Sequence, residues 1–423
     1  MDKYVIHGGE SLKGSVRISG SKNAALPLMV ASLLTDGDVI LHNVPHLIDV
    51  EVLIKLLSRL GKSITFKGHT VHIREIGVKK IEAPYELVKK MRASVIVLGP
   101  LLARHKHCRV SLPGGCAFGP RPIDLHIKGL SKLGAKIKID HGYIDARVSQ
   151  LRGASMILAG KYGSSVLATD NVLMAAALAK GTTVIETAAL EPECVELMRM
   201  LVKMGASIDG IGTSVVRIKG VKKLTGVEYT IIPDRIEAGT FLAAALATRG
   251  NVTITDCEPE HLMSVLEIIA GMGAVVKIGR TEIEIKQHKA LKAFSAKAMP
   301  YPLFPTDLQA PFTSLACTVS GVSTIAEGIY PDRFTHVAEL GRMGATIDVE
   351  GNTALVHGGK KLVGCDVQAS DLRNGAALVV AGLCASNTTS VHRIYHIDRG
   401  YDKFEEKLTA LGASIEREKD SIL

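Results

Sequence analysis

The sequence predicts an α/β protein made of six related units, and three observations support this. A Leu or Met followed by Gly closes an apolar stretch six times, at Leu60-Gly61-Lys62, Leu133-Gly134-Ala135, Met204-Gly205-Ala206, Met272-Gly273-Ala274, Met343-Gly344-Ala345 and Leu411-Gly412-Ala413. Their spacing of about 70 residues leaves room for several elements in each unit. Each unit also contains a second stretch, mostly rich in Ala and apolar on nearly all sides.

The elements of a unit follow in a fixed order. A short β-prone stretch comes first, as in Val39-Ile40-Leu41-His42-Asn43, Thr183-Val184-Ile185-Glu186-Thr187 and Val252-Thr253-Ile254-Thr255-Asp256. An amphipathic helix follows, with apolar residues at helical spacing such as Val52, Leu53, Leu56, Leu57 and Leu60. The Gly then supplies the left-handed backbone position that ends a helix. Alternation such as Ala135-Lys136-Ile137-Lys138-Ile139 reads as a strand with one wet face. The Ala-rich segments are 23–34, 93–103, 165–179, 238–247, 308–319 and 376–385. A helix that is apolar all round has to be buried, so these six form the interior.

Composition narrows the function classes. The chain has 423 residues, 47% of them hydrophobic and 22% charged, which allows two or three packed domains and argues against disorder. Aromatics make up only 4%, with no Trp, so the core is aliphatic. Mean hydropathy is positive, yet no apolar run approaches the roughly 20 residues that cross a bilayer. No secretory signal is visible after Met1-Asp2-Lys3-Tyr4, and a cytoplasmic protein is expected. Seven cysteines without paired spacing fit a reducing compartment, and neither CxxC nor HExxH occurs, so no metal site is expected. The net charge of +9 is dispersed and lacks interleaved aromatics. It fits small anionic substrates slightly better than nucleic acid.

Polar residues collect where the Ala-rich helices begin: Lys22 and Asn23, Arg92, Ser164 and Ser165, Asp234 with Arg235 and Glu237, Thr306 with Asp307, and Asp371 with Arg373. Helix N-termini attract anions. Ser164, Asp234 and Asp371 can equally be N-caps. Lys22 and Arg92 are unfavourable there unless a ligand or an acidic partner compensates. The loop Leu112-Pro113-Gly114-Gly115-Cys116-Ala117-Phe118-Gly119-Pro120-Arg121-Pro122 carries a thiol near a cation, a setting that favours thiolate if the two meet in space. The other cysteines read as small buried hydrophobes. Arg399 occupies the corresponding strand-to-helix loop of the last unit, either as a solvated charge or as part of a shared site. His126 and His396 read as hydrogen-bond partners that orient loops rather than as catalytic bases.

These residues resemble the UDP-N-acetylglucosamine enolpyruvyl transferase family. The matching motifs are Ser19-Gly20-Ser21-Lys22-Asn23-Ala24, Met91-Arg92-Ala93-Ser94, Pro113-Gly114-Gly115-Cys116 with Gly119 and Arg121-Pro122, Pro233-Asp234-Arg235-Ile236-Glu237, Phe304-Pro305-Thr306-Asp307 and His396-Ile397-Asp398-Arg399-Gly400. The similarity runs the full length. It implies two inverse α/β barrel-like domains of three repeated units each, 22–232 and 1–21 with 233–423, facing each other across a cleft.

The resemblance also implies phosphoenolpyruvate and UDP-N-acetylglucosamine as substrates, no metal or organic cofactor, no nucleic-acid or membrane partner, and a cytoplasmic role in peptidoglycan synthesis, cell shape and division. It makes Lys22, Asn23, Arg121 and Arg399 the phosphoenolpyruvate contacts. Arg92, Arg121, Pro122, Ile123, Asp124, Leu125, Gly163, Ser164, Ser165, Val166, Asp307 and Ile329 become the UDP-sugar contacts. Asp307 is the implied general base, and Cys116 the implied proton donor and fosfomycin alkylation site. One stretch departs from the pattern: Gly163 stands where the family has a basic residue, with Lys161 displaced.

The nearest rival is the transferase of the same fold that acts on shikimate 3-phosphate, which needs no thiol in that loop. A non-catalytic repeat scaffold and an RNA-terminal phosphate enzyme are the alternatives from other classes.

Overall fold

The computed structural model describes residues 2–77, 81–112, 123–286 and 290–420. The chain divides into two compact units, a first of Gly20–Ile232 and a second of Met1–Ser19 with Pro233–Leu423. Each has its own aliphatic core.

The first unit contains three four-stranded sheets among its described residues. Their strand orders are Val227–Thr230, Val39–His42, Thr70–Glu75, Lys62–Lys67; then Glu82–Ala83, His107–Ser111, Tyr143–Arg147, Lys136–Asp140; and Ser155–Ile157, Thr182–Glu186, Val215–Lys219, Ser207–Asp209. The first two strands of each are parallel and the remaining pairs antiparallel. Val227–Thr230, from the far end of the unit, completes the sheet begun by Val39–His42.

The second unit repeats the plan. Lys13–Arg17 lies parallel to Asn251–Thr255, Ser295–Ala298 to Gly321–Glu327, and Asp366–Gln368 to Thr388–His392. In the last of these sheets Asp2–His7 fills the third place, between Thr388–His392 and Ser414–Lys419. The N-terminal strand therefore belongs to the second unit.

All six glycines of the repeated signature have positive φ, from 88° at Gly344 to 102° at Gly205, which is the left-handed geometry that ends a helix. The strand after each glycine is the edge strand of its sheet. It is wetter than the alternation suggests: Ile139 in Lys136–Asp140 is 57% exposed, because an edge strand lacks a neighbour on one side.

The Ala-rich helices are buried. They are α1 (Lys22–Ala31), α2 (Leu98–His105), α3 (Val166–Ala176), α4 (Arg235–Ala247), α5 (Gln309–Thr318) and α6 (Leu372–Cys384), and every residue of α4 is buried. Two of them begin behind 3₁₀ turns, Arg92–Val97 and Thr306–Leu308. Pro100 and Pro311 explain this. Each falls in the first turn of its α-helix, the place where a missing N–H leaves no carbonyl unpaired.

Candidate active site

In the first unit, Ser21 caps α1 by accepting the Ala24 N–H at 3.3 Å, which fixes the turn that carries Lys22 and Asn23. Lys22 is only 7% exposed. Its Nζ lies 2.8 Å from Oδ2 of Asp49, a buried acid in the first turn of helix Ile48–Arg59. A cation at the positive end of a helix needs a counter-charge, and Asp49 supplies it. Pro27 has no N–H to give the Asn23 carbonyl, so the usual helical bond is missing there.

Arg92 opens the 3₁₀ turn Arg92–Val97, and its charge reaches the His126 ring. Ile123 precedes helix Asp124–Lys132, whose first turn carries Asp124, Leu125 and His126. Asp124 is an acid at a helix N-terminus, a favourable place for it. Gly160 packs closely enough on Leu125 that a side chain there would start 3.5 Å from its Cδ1. That contact brings the 123–125 segment to the hairpin Ala159–Gly160 and Gly163–Ser164.

Ser164 pairs with Ala159 in this hairpin, so it is not the helix cap. Ser165 is, accepting the Ala168 N–H at 3.4 Å ahead of Val166. Gly163 has φ +96°, which a β-branched or bulky residue would not tolerate. Lys161, at the hairpin turn, lies over the Tyr162 ring at 5.2 Å. Cys116, Arg121 and Pro122 lie outside the described residues.

In the second unit, Asp307 sits in the 3₁₀ turn ahead of α5. Arg333 Nη1 donates to its Oδ1 at 2.9 Å; Arg373 Nε and Nη2 donate to its Oδ2 at 3.2 and 2.9 Å. Burial alone would raise this carboxyl, but the charges of Arg373 and then Arg333 outweigh it and hold it well below the usual carboxylate range. Both arginines are buried, with side chains 4% and 1% exposed, so their charges are little screened by water.

Arg333 also donates to Thr306 Oγ1 (2.9 Å), and Thr306 donates to Glu327 Oε2 (2.6 Å). Glu327 accepts the backbone N–H groups of Ile329 and Tyr330 at 2.7 and 3.0 Å. Ile329 is thereby tied to the same network, and a ligand contact there falls to its carbonyl or side chain. Asp234 and Asp371 are true N-caps, each accepting two N–H groups at the start of α4 and α6.

Arg399 ends the 3₁₀ segment Ile394–Arg399, which packs on α6. A side chain on Gly400 would come within 3.8 Å of Arg373 Nη1, so this segment adjoins the Asp307 cluster. Its neighbour Asp398 is held by Arg417 Nη2 and Nη1 at 2.6 and 3.0 Å, while Arg417 Nε donates to Glu405 at 2.6 Å. Burial, then Arg399 and Arg393, push His396 down to about 4, so its ring is neutral.

The sequence reading missed Asp49, Arg333, Glu327 and Asn171. Arg333 had one available signal, since Pro331-Asp332-Arg333 repeats Pro233-Asp234-Arg235. The others are ordinary residues until folding gives them partners.

The thiols of Cys317 and Cys384 are pushed up to about 12, by burial first, as suits inert core residues. Among the described residues no group of three His, Cys, Asp or Glu could hold a metal ion, and no helix is long and apolar enough to cross a membrane. The first unit thus offers a buried cation at a helix start, and the second a carboxylate kept ionised by two buried guanidinium groups.

Sheets and buried helices arranged in this way define the enolpyruvyl transferase class. The enolpyruvyl transferase NikO from Streptomyces tendae superposes with a TM-score of 0.89 at 25% identity, covering 98% of both chains. An EPSP synthase structure from Acinetobacter baumannii shares the fold, with a TM-score of 0.75 at 19% identity over 99% of this chain and all of that one.

The family model of EPSP synthase (3-phosphoshikimate 1-carboxyvinyltransferase) matches residues 6–408, and the chain belongs to that family. Within it, relatives named UDP-N-acetylglucosamine 1-carboxyvinyltransferase are similar over nearly the whole chain. The one from Methylacidiphilum infernorum is 52% identical over 417 residues, 99% of each chain. That from Chlorobaculum parvum is 52% identical over 422 residues, again 99% of each.

Proposed function

We propose that the chain transfers the enolpyruvyl group of phosphoenolpyruvate to the 3′-hydroxyl of UDP-N-acetylglucosamine and releases phosphate. The observation that carries this reading is about 50% identity, along nearly the entire length, to relatives that bear that name. The shikimate 3-phosphate alternative has weaker support, since the EPSP synthase structures are 19% identical. The proposed role is the first committed step of peptidoglycan synthesis in the cytoplasm, and so a part in cell shape and division.

The reaction is an addition followed by an elimination. The sugar oxygen bonds to C2 of phosphoenolpyruvate while C3 gains a proton. The C2–O bond to phosphate then breaks, and C3 returns a proton to restore the vinyl group. An acid and a base must work at different atoms. Lys22, Asn23, Arg121 and Arg399 are assigned to the phosphate and carboxylate. Cys116 is assigned to the C3 proton, and the UDP-sugar to Arg92, residues 121–125, residues 163–166, Asp307 and Ile329. The halves that carry these roles are 22–232 and 1–21 with 233–423.

Asp307 is assigned to the 3′-hydroxyl proton. Clamped by Arg333 and Arg373 it is a weak base, so this role requires an arginine to be drawn off, and the carboxylate of phosphoenolpyruvate is a chemically suitable competitor.

The test is phosphate release with phosphoenolpyruvate and each acceptor. Release with UDP-N-acetylglucosamine and none with shikimate 3-phosphate is the expected result; the reverse overturns the reading. Fosfomycin should add one mass label at Cys116, and Cys116→Ser should abolish or severely reduce turnover. Unchanged rates in that variant would remove the acid role.

A further inference from the structure

One buried side chain joins three elements of the first unit without belonging to any substrate contact assigned above. Asn171, in α3, is fully buried. Its Oδ1 accepts the Gly99 N–H of α2 at 2.5 Å, and its Nδ2 donates to the Val95 carbonyl at 3.2 Å. A backbone N–H can only donate and a carbonyl can only accept, so these two partners fix which end of the amide is oxygen. The second Nδ2 hydrogen then meets His126 Nδ1 at 2.9 Å. Nδ1 must be the acceptor there, and the ring proton therefore resides on Nε2.

The surroundings agree with a neutral ring. His126 is 3% exposed, and burial, followed by the Arg92 charge, pushes it down to about 3. No carboxylate faces it among the groups that affect it. Nε2 has no acceptor among the described residues, although Nδ1 is fully engaged. Gly99 is required for the approach, since a side chain there would run into the Asn171 backbone and Oδ1.

We propose that Asn171 is a positioning residue: it locks His126 as a neutral imidazole protonated on Nε2, so that the first turn of helix Asp124–Lys132 offers a fixed hydrogen-bond donor to the UDP-sugar. This rests on the assignment of residues 123–125 to the UDP-sugar. His126 acts as a donor throughout the working pH range and never as a proton carrier. Asn171 touches no substrate and works only through the ring.

The experiment uses the full chain with ¹⁵N-labelled histidine. The expected spectrum has His126 Nδ1 unprotonated and Nε2 protonated, with no titration between about pH 5.5 and 8.5, since the ring's ordinary value of about 6.5 falls inside that window. A protonated Nδ1, or a ring that titrates there, overturns the proposal.

In Asn171→Asp the carboxylate can only accept, so the proton moves to Nδ1 and the ring titrates at higher pH. The KM for UDP-N-acetylglucosamine should rise about tenfold, the worth of one good hydrogen bond, with that for phosphoenolpyruvate changed less than about twofold. Equal changes in both constants overturn the proposal.

If that variant does not fold, His126→Gln keeps an N–H near Nε2 and His126→Phe removes it. The first should stay within about threefold of the parent and the second lose about tenfold in UDP-sugar KM. Equal losses in the two overturn it. A chain that releases no phosphate with UDP-N-acetylglucosamine sinks the proposed activity and with it the role of the donor, while the spectrum still decides the tautomer.

Discussion

Arg373 directs two donors, Nε and Nη2, onto a single oxygen of Asp307 at 3.2 and 2.9 Å, and it does so from a position almost fully out of water. The carboxylate therefore stays ionised far below ordinary pH. Because its folded value is depressed, the stability it contributes is complete above the unfolded value of about 3.9 and is lost only as pH falls toward the folded one.

Arg373→Gln should bring that titration into view. The parent should show no acidic limb from Asp307 in its pH–rate profile, whereas the variant should show one displaced to higher pH, with kcat/KM reduced at least about tenfold. A variant that also lacks an acidic limb would mean that Arg373 does not control the ionisation of Asp307.

Lys22 and Asp49 form a buried pair, so removing the acid withdraws a counter-charge that lies 2.8 Å from the buried amine. Asp49→Leu should cost about 3–5 kcal/mol in urea unfolding. Phosphate or phosphoenolpyruvate should restore more stability to this variant than to the parent, because the anion replaces the lost counter-charge. Equal stabilisation of both proteins would contradict the pairing.

Two glycine substitutions separate backbone strain from packing. Gly412 has φ +92° and open space around it, so Gly412→Ala should cost about 1 kcal/mol and leave kinetics alone. A side chain on Gly375 would meet Ile397 Cγ1 at 2.6 Å and displace the segment that carries Arg399. Gly375→Ala should therefore raise the KM for phosphoenolpyruvate about tenfold in steady-state assays. Identical kinetics in the two variants would detach Arg399 from that substrate.

His392 joins two acidic partners in the second unit, Asp420 Oδ2 at 2.7 Å and Asp366 Oδ1 at 3.1 Å. Burial lowers its pKa, but the two carboxylates outweigh this and the net shift is upward. A raised value means that the stabilisation is fully present below about 6.5 and is lost as pH rises through the folded pKa. Melting temperature should thus fall as pH rises above about 6.5 in the parent, and fall less in Asp420→Asn. A parallel decline in both would remove the linkage.

The repeat was legible because its physics is local. A left-handed glycine, a helical apolar stripe and an all-apolar helix each declare themselves within a dozen residues, and all six signature glycines have positive φ. Proline placement was equally local, although the 3₁₀ turns before α2 and α5 emerged only with backbone coordinates. The edge character of the strand after each glycine was not legible, since exposure depends on which strand lies alongside.

For the site, residue types at helix starts could be read directly, but their ionic partners could not. Nothing in the chain near Asp307 announces Arg333, 26 residues on, or Arg373, 66 residues on. Ser164, Asp234 and Asp371 were open to two readings until hydrogen-bond geometry identified the two acids as caps and moved the third cap from Ser164 to Ser165.

The sequence by itself determined the α/β repeat, the burial of its six Ala-rich helices and the membership of a family, because these follow from short-range periodicity and motif identity. Only the tertiary structure decided that Asp307 is gripped by two guanidinium groups, that Lys22 has Asp49 as its counter-ion and that Asn171 sets the proton on His126. The physical reason is that charge and hydrogen-bond energies fall off over a few ångströms, so they depend on distances through space that residue order along the chain does not encode.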